Sequence, residues 1–139
     1  MYDIHSHILP DIDDGPSEME HSLAMALASK NDGTIKMICT PHHKDVIENH
    51  SIYKLNQLVT QFKSRLKDEK IDLEIGLGME NHINLDLPEA LSNGTSLTIN
   101  RTKYVLIELP FFGKPNYIEQ VLFDVQLDGY IPVLAHPER

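Results

Sequence analysis

Cysteine is almost missing from this sequence: Cys39 stands alone in 139 residues. One thiol excludes an internal disulfide framework and a cysteine-rich zinc module. Its place inside the apolar run IKMIC reads as a small buried side chain. A thiol-based phosphatase also needs a downstream arginine to close a phosphate-cradling loop, and Asp45 stands where that arginine would be. Long apolar runs are lacking too. None approaches the roughly 20 residues that span a bilayer, and the N-terminus enters an acidic segment where a leader would be basic and then apolar. A cytoplasmic protein is the expectation. Positive charge is scarce: 12 basic residues against 21 acidic ones give a net charge of −9. That balance repels polyanions and argues against nucleic acid as a general partner. Glycine signatures are absent as well, with no G-x-G-x-x-G after the first strand, no phosphate-binding Walker loop and no G-x-S-x-G nucleophile elbow.

What is present is an ordinary globular composition, 41% hydrophobic and 24% charged, expected to form one domain over residues 1–139. Short apolar runs, YDI, IKMIC, LEIGLGM, YVLIEL and IPVLA, read as five buried strands. Between them lie helical patterns. In PSEMEHSLAMALASKNDG, Ser17 and Glu20 suggest a capping box, with Leu23, Ala24 and Leu27 on one face and Asn31-Asp32-Gly33 as the stop. Ile52, Leu55, Leu58, Val59, Phe62 and Leu66 recur at helical spacing. A third helix is expected from Tyr117 to Asp128, with Ile118, Val121, Leu122 and Val125 inward, and a short one near Leu87 to Leu91. Strand and helix in alternation imply an α/β fold of parallel strands with right-handed crossovers. Without a dinucleotide fingerprint, a barrel is preferred to a doubly wound sheet.

Each run leads into a residue that can bind a metal. The first leads to His5 and His7, the second to His42 and His43, the third to Glu80; the fourth carries Glu108 near its end, and the fifth ends at His136. In a parallel β/α barrel the carboxyl ends of strands converge on one face. His5 and His7, two apart in extended chain, point to the same side. Asp14, ahead of Asp11 and Asp13, offers another oxygen from the loop after the first strand. Any of these alone is more often a surface or hydrogen-bonded side chain than a ligand; the signal is their coincidence at strand ends. His21, His50 and His82 read as structural or surface residues. The segment DIDDG lacks the acid spacing of a calcium loop. Imidazole and carboxylate without thiolate suit zinc, manganese or iron, and this many candidates favour two or three ions. Such ions bind phosphoryl oxygens and acidify water, so no protein nucleophile is needed. Arg139, three residues beyond His136, has the fork geometry to hold a phosphate.

The segments DIHSHILPDIDDG, TPHH, the Glu80 after EIGLGM, LIELP and VLAHPER resemble, in order and spacing, the PHP (polymerase and histidinol phosphatase) superfamily. Within it they are most similar to the metal-dependent protein-tyrosine phosphatases of Gram-positive bacteria, which act on tyrosine kinases of capsule and exopolysaccharide synthesis. The resemblance implies a distorted seven-stranded β/α barrel with a three-ion, usually manganese, cluster. By motif, His5 and His7 would hold one ion, Glu80 would bridge, Glu108 and His136 would hold a second, Asp14 and His42 a third, and Arg139 would contact the phosphate. The implied partner is a tyrosine-phosphorylated bacterial kinase, with neither nucleic acid nor membrane insertion. The family continues past HPER to a late Asp-x-His motif, and barrels of this kind take on the order of 200 or more residues. Residues 1–139 are therefore expected to be an N-terminal part with about five of seven strands. Two alternatives remain at this point: another phosphoesterase of the superfamily, such as a histidinol-phosphate phosphatase, or an inactive fragment that binds metal or kinase.

Overall fold

Alternating burial and helical spacing convert into twelve short elements in the computed structural model, which describes residues 1–138. In chain order these are β1 (Tyr2–Ser6), α1 (Met19–Asn31), β2 (Lys36–Cys39), α2 (His43–Asn49), α3 (Ile52–Asp68), β3 (Glu74–Leu77), β4 (Glu80–His82), α4 (Leu87–Asn93), a 3-10 turn (Ile99–Arg101), β5 (Tyr104–Glu108), α5 (Ile118–Leu127) and β6 (Ile131–Ala135). All strand pairs are parallel, as the alternation requires. They form two three-stranded sheets in the orders β1-β2-β3 and β4-β5-β6, so β1 and β6 are outermost among the described residues.

The five expected strands are six. The run LEIGLGMENH breaks: Gly78 donates to the Cys39 carbonyl, Glu80 donates to the Pro41 carbonyl, and Glu80–His82 then pairs with β5. Glycine permits the break. An added Cβ at Gly78 would lie 3.2 Å from Ile99 Cα and the Thr98 carbonyl oxygen, so the 3-10 turn presses on this backbone. A parallel bridge between His42 and Glu80 joins the two sheets at this point.

Helix α3 follows its pattern closely. Leu55, Val59, Phe62 and Leu66 are buried, Ile52 and Leu58 pack partly against them, and the Ser51 hydroxyl caps the start by accepting from Lys54 N–H. In α5, Ile118, Val121 and Val125 are buried and Leu122 is partly so, with Gly129 in the left-handed region behind it. Helix α1 corrects the expectation. It begins at Met19 behind Glu18 with no side-chain cap, so the Ser17–Glu20 box does not form. Its buried face is Ser22, Leu23 and Ala26, whereas Ala24 and Leu27 are exposed; alanines on every side leave the sequence no contrast to read. Helix α2, too short and too polar to show a period, buries only Val46.

Three apolar clusters hold the layers. One lies under β1–β3 with α1 and α3, centred on Leu55, Phe62, Ile75 and Met79. A second joins β5 with α4 and α5 through Val105, Ile107, Leu91 and Val121. The third contains Ile38 of β2, Leu106 of β5, Ala135 of β6 and Ile99, and so ties the two sheets together. No helix among the described residues is long and apolar enough to cross a membrane.

Candidate metal centre

Parallel strands bring their carboxyl ends to one rim, and the residues following those ends line a single cavity of about 490 Å³. All seven predicted metal residues are there: His5, His7, Asp14, His42, Glu80, Glu108 and His136. They arrive from β1, the loop after it, the turn after β2, the start of β4, the end of β5 and the residue after β6. Glu80 departs from the expectation in one respect, since it opens β4 instead of closing its own strand. Arg139 lies outside the described residues.

Glu80 is the hub. Its carboxylate is fully buried, and four imidazoles surround it: His5 Nε2 at 3.2 Å, His7 Nε2 at 3.1 Å, His42 Nδ1 at 3.3 Å and His136 Nε2 at 3.2 Å. Despite these distances, neither carboxylate oxygen has a partner with hydrogen-bond geometry. Two imidazole nitrogens also face each other, His5 Nε2 and His7 Nε2 at 3.2 Å. Buried acceptors without aligned donors are costly, and converging carboxylate and imidazole ligand atoms are what divalent cations require. This donor set fits divalent ions. Three overlapping triplets have ligand atoms within 4.8 Å of one another: His5, His7 and Glu80; His7, Asp14 and His42; His42, Glu80 and Glu108. His136 joins through Glu80 Oε1 and holds a left-handed φ of 49°, uncommon for a residue with a side chain.

Around these groups a second layer fixes orientation. Asp13, whose side chain is fully buried, accepts from His7 Nδ1 at 2.7 Å and from the backbone N–H groups of His42 and Gly15. Asp13 thus turns His7 so that Nε2 faces Glu80. Burial pulls the His7 pKa down, but Asp13 and Glu80 outweigh it and hold it up at about 10. Burial also works against ionised Glu80, yet the His5 and His7 imidazoles keep its carboxyl well below the usual range. Cys39, by contrast, is inert: burial pushes its thiol up to about 12.

Further residues of the rim escaped the sequence reading, among them His82 and Phe111. His82, expected to be a structural or surface residue, lies on β4, lines the cavity, and places Nδ1 3.7 Å from Glu108 Oε1. The signal was available, because Glu80 and His82 share one face of a strand by the same two-residue spacing that paired His5 with His7. Phe111 also lines the cavity, and nothing in its spacing marks it. His21 is exposed on α1 and His50 caps the end of α2, as expected of structural or surface residues. His43 opens α2, with burial pulling its pKa down.

A family profile for capsular polysaccharide synthesis, CpsB/CapC, matches residues 1–139. The chain belongs to the CpsB/CapC family. Among its curated CpsB/CapC relatives, the tyrosine-protein phosphatase YwqE of Bacillus subtilis is 42% identical across the whole chain, which spans 55% of that protein. The putative tyrosine-protein phosphatase CapC of Staphylococcus aureus is 33% identical over 54% of its length. The tyrosine-protein phosphatase CpsB of Streptococcus pneumoniae is 33% identical over 57%. The chain spans about half the length of the curated relatives it matches. A crystal structure from work on YwqE and CpsB, described there as unique metal-dependent tyrosine phosphatases, superposes with a TM-score of 0.94 at 41% identity. The match covers 99% of this chain and 56% of that one.

Proposed function

We propose that residues 1–139 supply one part of a PHP-type barrel, and most of the metal centre, of a metal-dependent protein-tyrosine phosphatase acting on a tyrosine-phosphorylated kinase of capsule or exopolysaccharide synthesis. The observation that carries this reading is the buried Glu80 carboxylate ringed by four imidazoles. The relatives named as tyrosine-protein phosphatases support it. Bound divalent ions, manganese first and zinc or iron next, would supply Lewis acidity toward the phosphoryl group and acidify water.

The chain's own residues then have definite tasks. His5 and His7 would hold one ion, Glu108 and His136 a second, and Asp14 and His42 a third, with Glu80 shared. Glu80, Glu108 and Asp14 contribute three carboxylates to the cavity lining, which would balance part of the cationic charge without cancelling it. A dianionic phosphate would then be drawn into the cavity. Asp13 keeps the His7 ring in register. Arg139 would clamp phosphate oxygens with its guanidinium fork.

Two measurements test the proposal. Manganese should stimulate hydrolysis of a phosphotyrosine peptide and do so far more than hydrolysis of histidinol phosphate. Equilibrium titration with Mn2+ should show binding that Glu80→Gln abolishes. Phosphotyrosine turnover that persists at full rate after chelation would reject the mechanism; preferential turnover of histidinol phosphate would move the chain to a sister activity.

A further inference from the structure

Leu109, Pro110 and Phe111 form the one hydrophobic stretch lining the metal cavity among the described residues, beside its imidazoles and carboxylates. They follow Glu108 directly, so β5 delivers an acidic residue to the centre and an apolar lip beside it. Leu109 packs against the second core cluster and anchors the lip. Pro110 restricts the backbone just before the aromatic residue. Phe111 nevertheless leaves 73% of its surface in water. A large aromatic side chain so exposed at the mouth of a charged cavity is the arrangement of a contact surface.

We propose that Phe111 is a specificity-determining residue that receives the aromatic ring of a phosphotyrosine side chain. This rests on the phosphotyrosine reading above. A phosphate ester that places its phosphoryl group among the imidazoles and carboxylates can lead its organic part out past this stretch. An aryl ester presents a flat apolar face there, and ring-on-ring contact in offset or edge-to-face geometry favours it. A serine or threonine ester is too short and too polar to make that contact.

The experiment uses the manganese-loaded protein and calorimetry. Its probes are a peptide carrying phosphonomethyl-phenylalanine, which cannot be hydrolysed, and inorganic phosphate. The wild type should bind the aryl peptide more tightly than the same peptide with a phosphonate analogue of phosphoserine. Phe111→Ala should weaken the aryl peptide by about three- to tenfold and leave inorganic phosphate within about twofold. Phe111→Tyr should restore the aryl affinity. If the wild type prefers the aryl peptide but Phe111→Ala weakens both probes equally, or neither, the role of Phe111 is overturned while the phosphotyrosine reading stands. If the wild type shows no aryl preference, the phosphotyrosine reading falls and this inference with it.

Discussion

Asp13 shows how much of a site can depend on a residue that need not touch an ion. Its buried carboxylate holds His7 Nδ1 at 2.7 Å and two backbone N–H groups. Replacing it with Asn puts an amide where an acceptor is required. Asp13→Asn should lower manganese affinity by about 10- to 100-fold, read by competition with a metallochromic indicator, while leaving the far-ultraviolet spectrum unchanged. The charge state of His7 gives a second prediction. Raised from 6.5 to about 10, His7 is protonated at neutral pH without metal, whereas a ligand imidazole must be neutral. Under the proposed ligation by His7, metal binding expels a proton. Apparent affinity should rise as pH increases from about 6.5 toward 10, and calorimetry in buffers of different ionisation enthalpy should register the release. The same group sets stability in the metal-stripped protein with the opposite slope. A raised histidine pKa contributes stability fully below 6.5 and loses it as pH climbs through about 10. A depressed Glu80 contributes above 4.5 and loses its share as pH falls. The pair is thus most stabilising between 4.5 and 6.5, and urea midpoints in chelator should fall on moving from that window toward alkaline pH.

At the scale of elements, the loop after β1 answers why so many acids precede a glycine. An added Cβ at Gly15 would lie 2.2 Å from the His7 carbonyl oxygen, a backbone contact that no side-chain rotation can relieve. Gly15→Ala should displace either His7 or Asp13. The expected result is a loss of metal affinity at least as large as that of Asp13→Asn, with a lowered unfolding midpoint in the same sample. Such contacts were invisible in the sequence, where only the clustering of acids could be seen. Long periodic segments were legible because burial imposed the period: α3 and α5 bury, wholly or in part, the positions their spacing names. Helix α1 was misread on its face because alanines on every side offered no apolar contrast. The break that separates β3 from β4 was missed because it depends on a distant 3-10 turn pressing against Gly78. The convergence of the seven candidate residues on one cavity was legible for a topological reason: parallel strands must end together. The tasks of Asp13 and His82 depend on side-chain direction, which spacing suggests for His82 and hides for Asp13.

For the whole molecule, charge and layering act together. The net charge of −9 opposes approach of any anion over most of the surface, so for the phosphate ester proposed above attraction has to be local, at the cavity, once the proposed cations are in place. Raising ionic strength should screen that general repulsion more than the short-range contacts inside the cavity. The outermost positions of β1 and β6 carry a different consequence. Each presents a row of backbone donors and acceptors beside exposed apolar side chains, Tyr2 and Ile4 on one border, Ile131 and Leu134 on the other. Such a border is a template for any extended segment that comes near, including the matching border of another copy. At high concentration the isolated 139 residues should therefore self-associate, seen as a rising sedimentation coefficient. A lysine at Ile4 should suppress it by making the seam inhospitable to a neighbouring strand.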